Sequence, residues 1–588
     1  MFSAGADQAL TIGLNPNTSG LPTLFSHGEQ LTYSVVGNVL TASTSLGTVF
    51  TLTVNADGSW TFDLDDQLDH VAGSGDTGTL LKTSADGSTS VPAIDFSSIV
   101  VATDSDGDSA LGAASGGFTI TVQNDVPILT ESERPGFFGS VEEDGMSLTT
   151  KDSAEGNKDA GDDYSQDETS GTAGSLASYV QVGADEPVTF GLSSDTSGLP
   201  QLLSGGLPVQ YAVDGNVLTA TAGGTTVFTF TMYAGGTWSF DLQGQLDHVD
   251  DGTNTENFAF RTVGGGSTSG IDLSSVIAIT DADGDSVGDL DQGFFRIAVQ
   301  DDVPTVTITA ASGIVAALDE SGPGAAATLD TGLVAKGDDP DVAGSNALSR
   351  AVTSGAVVNV TALFGADGAA ASGQTSYALK VTNAGSGLTL TDGSAIQLVQ
   401  QANGVVVGVV QSGPFAGQAA FAISIDASTG VVTVEQYLSL DHPTEATAAN
   451  GFASYDEALF LASGSLGVTV TVTDGDNDQA VSNTADISGQ ISFDDDGPSV
   501  RADRDSVGED GTTIVSGNVI TDGDAIDDDA NAGTPASSDG ADSLGADGGA
   551  VTGVRFGSVT EAVGSVGTRY PGRTVQSTSA PTGRTPTR

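Results

Sequence analysis

Alternating hydrophobic and polar residues are the dominant pattern of this chain. The stretch from Gly47 to Leu64 reads GTVFTLTVNADGSWTFDL, with apolar residues at every second position on both sides of an Asp-Gly pair. Period-two alternation is typical of half-buried β-strands, and Asp-Gly between two such runs favours a hairpin turn. No long stretch has helical spacing, so the pattern predicts an all-β fold: a string of tandem β-sandwich domains, immunoglobulin-like or cadherin-like, with acidic linkers.

The same patterns recur along the chain. The stretch GLNPNTSGLPTLFSHGEQLTYSVVGNVLTA from Gly13 returns from Gly191 as GLSSDTSGLPQLLSGGLPVQYAVDGNVLTA. A more divergent third copy keeps VEQYLSLDHP and TVTVTDGDND, and each copy ends in a short acidic stretch before a proline. Such repetition indicates tandem domains. The predicted units are copy 1 (1–127, lacking its N-terminal part), copy 2 (128–304), copy 3 (305–498) and a partial fourth copy (499–588).

Two long segments differ from the alternating runs. The residues 140–175 and 522–550 are acidic, rich in Gly, Ser and Ala, and poor in apolar side chains. They cannot bury enough surface to offset an ordering cost of about 1–2 kcal/mol per residue. We therefore expect loops or linkers there.

Charge and composition exclude several classes of function. The chain has 588 residues, 77 of them acidic against 16 Lys and Arg, and a net charge of -61. This charge argues against a nucleic-acid binder or a basic membrane-surface module. There is no cysteine, which removes disulfides and thiolate zinc sites, and no stretch resembles a membrane span. The first residues lack the pattern of a secretory signal, so export would need another signal.

Three aspartates at alternate positions recur near the end of each copy. Hard oxygen ligands at this spacing in a glycine-containing loop can converge on Ca²⁺, which takes 6–8 oxygens. The loop is not an EF-hand, because the glycine and the bidentate glutamate of that motif are missing. The alternative is an ordinary solvated Asp-Gly turn. The predicted calcium ligands are Asp104, Asp106 and Asp108 in copy 1, Asp281, Asp283 and Asp285 in copy 2, and Asp474, Asp476 and Asp478 in copy 3.

Further acidic groups flank the predicted boundaries. A hypothesis is that groups on both sides of a boundary share an ion that stiffens the junction; the alternative is ordinary linker acidity. The groups at the copy ends are Asp125, Asp301-Asp302 and Asp494-Asp495-Asp496, and those early in the following copies are Glu143-Asp144, Asp319-Glu320 and Glu509-Asp510.

The recurring Leu-Asp-His motif does not indicate catalysis. His70, His248 and His442 each follow an aspartate, but no nucleophile or G-x-S-x-G motif accompanies them. A turn residue with a packing role is the simpler interpretation. Trp60 and Trp238 occupy strand positions and are expected in the core rather than on the surface as sugar platforms. We expect no enzymatic activity.

The chain contains three pairs of motifs: DGSWTFDL with LDHV, VATDSDGDSA with FTITVQNDVP, and FDDDGPSV with VGEDG. They resemble motifs in the tandem domains of RTX-family giant adhesins and other type I secretion substrates of Gram-negative bacteria. The resemblance covers the chain to about Thr568. It implies an extracellular or cell-surface stalk, exported by type I secretion, in which calcium stiffens successive domains. Its implied partners are calcium ions, neighbouring repeats, and a cell-surface or matrix receptor reached through modules outside this chain.

Three functions therefore compete. The first is a non-catalytic, calcium-stiffened stalk segment of a secreted adhesin or RTX-type protein. The second is a β-sandwich module that binds glycans or a protein, for which aromatic residues exposed in one copy only would be the mark. The third is an accessory part of a secreted hydrolase, which should carry one unrepeated constellation of acid, base or nucleophile.

The C-terminal residues break the pattern of the chain. From about residue 569 there is no acidic residue, and four arginines appear: Arg569, Arg573, Arg584 and Arg588. The degenerate codons of Ala580 to Arg588, read in another frame, permit Ala-Asp-Gly-Thr-Tyr-Thr-Tyr-Thr, which matches the hairpin at Ala56 to Phe62. We therefore predict a frameshifted tail; the alternative is a native basic tail.

Overall fold

The computed structural model describes residues 2, 9–73, 75–112, 115–130, 136–146, 168–170, 175–250, 252, 256–287, 290–339, 347–443, 457–498, 542, 544–546, 548, 553–556 and 559–562. Within these residues the chain is all-β, with no helix of seven residues or more, so the predicted fold class is confirmed. The helices are short 3₁₀ turns at Glu143–Gly145, Leu176–Tyr179, Ser274–Val276 and Ser488–Gln490. No helix among the described residues has the length and apolarity needed to cross a membrane.

The chain forms two compact units. The first contains Met1–Pro304 together with the two loops Phe364–Ala370 and Asp474–Asp478, and the second contains the remaining residues. The first unit thus holds copies 1 and 2 and two loops of copy 3. The division into four copies stays a prediction from the sequence. The predicted tail from about residue 569 and most of the two predicted linkers lie outside the described residues.

Copy 1 is built on a four-stranded meander, β4-β5-β6-β7. The predicted hairpin is present, with Val54 opposite Trp60 across β6 and β7. Phe50 and Leu52 on β6 are buried, and Phe50 meets Phe96 edge-on at 6.1 Å between ring centroids. The strands of copy 1 are β1 (Thr11–Leu14), β2 (Phe25–Ser26), β3 (Glu29–Gln30), β4 (Thr32–Val36), β5 (Val39–Ser43), β6 (Thr48–Val54), β7 (Trp60–Leu64), β8 (Leu81–Lys82), β9 (Ser90–Val91), β10 (Ile94–Asp95), β11 (Val100–Thr103), β12 (Ser109–Leu111) and β13 (Thr119–Ile120).

Copy 2 repeats this meander as β24-β23-β22-β21 and extends it with β16 along the outer edge of β24. A second sheet, β15-β29-β27, includes a parallel pair between β15 and β29. Its strands are β14 (Ile128–Leu129), β15 (Gly139–Glu142), β16 (Glu168–Ser170), β17 (Val180–Gln181), β18 (Thr189–Leu192), β19 (Leu203–Ser204), β20 (Leu207–Pro208), β21 (Gln210–Asp214), β22 (Val217–Ala222), β23 (Thr225–Met232), β24 (Trp238–Leu242), β25 (Ala259–Arg261), β26 (Ser267–Ser269), β27 (Ile271–Asp272), β28 (Ile277–Thr280) and β29 (Arg296–Gln300).

The two tryptophans have different surroundings. Trp238 is 1% exposed and packs edge-on against Phe295, so its predicted place in the core is confirmed. Trp60 is 52% exposed, and the core prediction is wrong for it. The core cluster that contains Trp238 includes Val141, Met146 and Leu176 from the first part of copy 2, and the described residues of copy 1 contain no counterpart of these side chains. Phe118 still contacts Trp60, at 5.2 Å between ring centroids.

The second unit contains a six-stranded sheet, β32-β39-β38-β37-β36-β35, and a four-stranded sheet in which β41 pairs with β34, β42 and β43. Phe421 and Phe493 pack in the core of this unit, with 5.1 Å between their ring centroids. Its strands are β30 (Thr305–Ala310), β31 (Ala316–Asp319), β32 (Ser349–Ala356), β33 (Val358–Leu363), β34 (Thr375–Val381), β35 (Gly385–Thr389), β36 (Ala395–Gln400), β37 (Val406–Val410), β38 (Ala419–Ile425), β39 (Val431–Gln436), β40 (Ala458–Phe460), β41 (Leu466–Thr473), β42 (Gln479–Val481), β43 (Ala485–Asp486), β44 (Ile491–Asp494), β45 (Gly553–Phe556) and β46 (Val559–Ala562).

Candidate metal centres

Each aspartate triplet lies in a tight loop, which is stabilised by hydrogen bonds to the carboxylate of the first aspartate. In copy 2 the Asp281 carboxylate accepts hydrogen bonds from the backbone N–H groups of Gly284 (3.0 Å) and Asp285 (2.8 Å). Gly284 has a φ of +98°, a conformation that glycine adopts without strain. Asp104 and Asp474 accept the equivalent bonds from Asp108 and Asp478. The first aspartate therefore shapes the turn, and the other two are free to act on groups outside it.

The three triplets differ sharply in burial. Asp281, Asp283 and Asp285 are 6%, 5% and 2% exposed, and the three aspartates of copy 3 are 0%, 1% and 4% exposed. In copy 1 the triplet is largely at the surface, with Asp106 and Asp108 exposed. The same sequence motif thus produces two buried clusters and one solvated turn.

The loop of copy 2 is buried against copy 1. The backbone N–H of His70 donates to Asp283 Oδ2 at 2.8 Å, and that of Gly73 donates to Asp285 Oδ1. Asn124 Nδ2 donates to Asp285 Oδ2 at 2.5 Å, and Lys82 Nζ donates to the Asp283 carbonyl at 2.7 Å. The triplet therefore belongs to a centre that two consecutive copies share, which we call centre 1.

Two further carboxylates complete centre 1. Asp69 and Asp185 are 5% and 2% exposed. Burial, together with the negative charges of Asp283 and Asp281, raises the pKa of Asp185 to about 8. Burial also raises the pKa of Asp69, and it raises that of Asp281 to about 7. Four buried carboxylate oxygens have no hydrogen-bond partner: Asp69 Oδ1, Asp185 Oδ1, Asp281 Oδ2 and Asp283 Oδ1.

The first compact unit contains a second centre of the same construction, which we call centre 2. The backbone N–H of His248 donates to Asp476 Oδ2 at 2.7 Å, as that of His70 does to Asp283. Carboxylate oxygens of Asp301, Asp367 and Asp476 lie within 4.8 Å of one another. Burial and neighbouring aspartates raise the pKa of Asp301 to about 10 and that of Asp474 to about 9. Such carboxylates are strongly destabilised when ionised without a cation.

A Gly-Ala-Asp motif positions one further carboxylate in each of the two centres. The N–H of Ala184 donates to Asp125 Oδ2 at 2.6 Å, and the N–H of Ala366 donates to Asp302 Oδ2 at 2.7 Å. The next residue in each case, Asp185 or Asp367, enters the centre. The triplets alone did not indicate these two carboxylates, although the recurrence of Gly-Ala-Asp at 5–7, 183–185 and 365–367 is a signal for them in the sequence.

The boundary acids associate differently from the sequence hypothesis. Asp301 does meet groups of the following copy, Asp367 and Asp476. Glu143, however, lies with Asp301 at the end of its own copy, because the parallel pairing of β15 and β29 brings those strand ends together. In the second unit, Glu320 and Asp495 lie together around His442. Glu509 and Asp510 lie outside the described residues.

The histidines of the Leu-Asp-His motif are structural parts of these centres. His70 and His248 are 2% and 0% exposed. Their Nε2 atoms lie 3.1 Å from the Val122 carbonyl oxygen and 3.2 Å from that of Val299. Sequence reasoning assigned them a packing role but missed that their backbone N–H groups contact the triplet of the next copy.

Comparison with known protein families gives a partial match. Residues 316–488 match a family described as a domain of unknown function, DUF5801. None of the curated proteins compared with the chain matches it.

Proposed function

We propose that this chain is a non-catalytic stalk segment of a large secreted adhesin or RTX-type protein, in which calcium holds successive copies together. The observation that carries the proposal is the position of Asp283. One of its carboxylate oxygens accepts a hydrogen bond from the preceding copy, and the other is buried without a hydrogen-bond partner. A cation at that oxygen would join the two copies.

Electrostatics supports a bound cation in centre 1. At about 4 Å, two like charges repel by roughly 4 kcal/mol at the effective dielectric constant of a protein near its surface. The charge of Asp283 is close enough to contribute to the raised pKa of Asp69, Asp185 and Asp281. Lys82 is the basic side chain that contacts the loop, and it binds the Asp283 carbonyl. The carboxylates must therefore be protonated or bound to a positive ion.

The donor set favours calcium among the common ions. The groups with vacant oxygens in centre 1 are carboxylates, and Ca²⁺ prefers hard oxygen ligands in flexible arrangements of 6–8. Mg²⁺ demands a near-ideal octahedron, which a cluster drawn from three separate chain segments meets less easily. Millimolar calcium is an extracellular condition, so the site would be occupied outside the cell and weakly occupied inside it.

The exposed Trp60 does not change this proposal. An aromatic side chain exposed in one copy only is the expected mark of a binding module. Here Trp60 keeps the contact that its buried counterpart makes, with Phe118 in the place of Phe295. A lone tryptophan packed on Phe118 is not a cluster of aromatic residues.

Hydrogen–deuterium exchange and small-angle scattering of the full chain, in calcium and in chelator, test the proposal. Calcium is expected to slow exchange of the backbone N–H groups of His70, Gly73 and His248, and to narrow the distribution of molecular dimensions. Magnesium at the same concentration is the control and should have a smaller effect. Equal exchange and equal scattering in calcium and chelator would refute the calcium-stiffened stalk.

A further inference from the structure

A second kind of donor group lies in copy 2, beside the triplet loop of copy 3. His248 Nδ1 is 3.4 Å from Asp301 Oδ1 and 3.9 Å from Glu143 Oε2, and all three side chains are fully buried. Neither carboxylate oxygen has a hydrogen-bond partner. The three atoms come from the start, middle and end of one copy. They form a nitrogen and oxygen cluster, unlike the all-oxygen group of centre 1.

Both ring nitrogens of His248 face carbonyl oxygens. Nε2 lies 3.2 Å from the Val299 carbonyl oxygen and Nδ1 lies 2.9 Å from that of Leu246, so either nitrogen can carry the ring proton. The tautomer with the proton on Nε2 directs the Nδ1 lone pair towards the two unpartnered carboxylate oxygens. A cation between these three atoms would satisfy all of them.

The second unit contains the same arrangement. His442 Nδ1 is 3.3 Å from Asp495 Oδ1, and its Nε2 is 3.3 Å from the Phe493 carbonyl. Glu320 takes the place of Glu143, since each accepts the N–H of the leucine two residues before the histidine, at 3.0 and 2.7 Å. Two copies thus build one cluster from the same positions.

Copy 1 supplies a natural control. His70 keeps the contact of its Nε2 with a carbonyl, that of Val122. Asn124 occupies the position of Asp301 in the repeat, and the described residues of copy 1 contain no equivalent of Glu143. Accordingly, His70 Nδ1 has no hydrogen-bond partner. The histidine is therefore common to all three copies, whereas the aspartate is replaced by Asn124 in copy 1.

We infer that the Glu-His-Asp clusters of copies 2 and 3 each bind a divalent transition metal of the Zn²⁺ type, in addition to the calcium of the aspartate loops. Imidazole nitrogen with carboxylate oxygen suits zinc, whereas calcium prefers oxygen alone. Ligands about 2.0–2.1 Å from a tetrahedral zinc ion lie about 3.4 Å apart, which matches the spacing of Nδ1 and the aspartate oxygens.

The test is a zinc titration of the full chain in saturating calcium, followed by calorimetry, with Co²⁺ absorption as a spectroscopic probe of nitrogen and oxygen ligation. Two zinc ions per chain are expected. His248→Ala and His442→Ala should each remove one, and His70→Ala should remove none. Glu143→Gln, which keeps the size of the side chain, should weaken zinc binding at the copy 2 site at least tenfold. It replaces His248→Ala in the test if that variant does not fold.

Calcium counted in the same samples separates this inference from the proposed function. If zinc binds but calcium does not, the stalk proposal fails and the zinc sites stand. If zinc uptake releases an equal amount of calcium, or if His70→Ala loses as much zinc as His248→Ala, the separate zinc sites are refuted. No zinc uptake in saturating calcium would also refute them.

Discussion

The backbone N–H of His70 donates to Asp283 Oδ2 at 2.8 Å, across 213 positions of the sequence. The same bond joins His248 to Asp476 at 2.7 Å. Both histidines stand in Leu-Asp-His, and both aspartates are the second of their triplet. A motif pair that looks local within each copy therefore acts between one copy and the next.

Asp283→Asn tests the role of the second aspartate apart from that of the turn. The turn depends on Asp281, so the variant should keep the loop and lose a charged ligand. We expect calcium affinity at centre 1 to fall at least tenfold and the melting temperature in calcium to drop. In chelator the variant should melt above wild type because a repulsion is relieved. Calorimetry and thermal unfolding measure both effects.

Asp106→Asn is the matched control, because Asp106 is the second aspartate of the exposed copy 1 triplet. It should leave the melting temperature in calcium unchanged. Equal losses in the two variants would show that burial against the neighbouring copy is irrelevant to binding.

The raised aspartate pKa values predict an unusual pH dependence without calcium. Burial raises the pKa of Asp281 to about 7, of Asp185 to about 8 and of Asp474 to about 9. A carboxyl whose pKa is higher in the folded state stabilises the fold at low pH, and this stability is lost as pH rises through the folded pKa. The free energy of unfolding in chelator should therefore decrease from about pH 4, where aspartates of the unfolded chain ionise, to about pH 9.

Saturating calcium should abolish or reverse that slope, because the ion binds the ionised carboxylates. Calcium affinity should also weaken as the pH falls through the same range. Thermal melts at several pH values, with and without calcium, measure the effect. Parallel slopes in the two conditions would contradict the clustering of ionised ligands around one ion.

Gly183→Ala tests the Gly-Ala-Asp element. Gly183 has a φ of +79°, and a Cβ there would lie 2.6 Å from Asp125 Oδ2. The added methyl should break the bond from Ala184 to Asp125 and move Asp185, lowering both stability and calcium affinity. Gly206→Ala is the control, with a φ of +74° and nothing near the added Cβ. It should cost only about 1 kcal/mol of backbone strain, with calcium affinity unchanged.

The two tryptophans give a direct check of the sheet edge. With Trp60 52% and Trp238 1% exposed, single-tryptophan variants should differ in acrylamide quenching of fluorescence. Trp238→Phe, which retains Trp60, should be quenched strongly, and Trp60→Phe weakly. Replacement by Ala should cost about 3–5 kcal/mol at a buried aromatic site and much less at the exposed one. Similar quenching of the two variants would show that β7 is covered in solution.

Local patterns in the sequence were enough to predict the strands and hairpins. Period-two alternation gave β6 and β7, and the Asp-Gly pair gave the turn between them. These features depend on residues that are neighbours in the chain. The exposure of Trp60 could not be predicted in this way, because burial depends on residues far away in the sequence, as the core around Trp238 includes Val141 and Leu176.

The candidate centres were predicted only in part. The triplet spacing indicated carboxylates that converge on an ion, but the burial of Asp283 depends on a contact with His70 far away in sequence. The pairing of Glu143 with Asp301 follows from parallel strands at the two ends of one copy, a register that no local pattern reveals. The recurrence of Gly-Ala-Asp is visible in the sequence. The position of Asp185 beside Asp281 depends on the fold and is not.

The most direct test of the account is the position of calcium in crystals of the full chain grown with the ion. Anomalous difference density should show an ion about 2.3–2.6 Å from carboxylate oxygens of Asp185, Asp281 and Asp283 together, joining two copies. An equivalent ion should lie at Asp367, Asp474 and Asp476. Density confined to the surface turn at Asp104, with both buried clusters empty, would contradict the claim that calcium holds successive copies together.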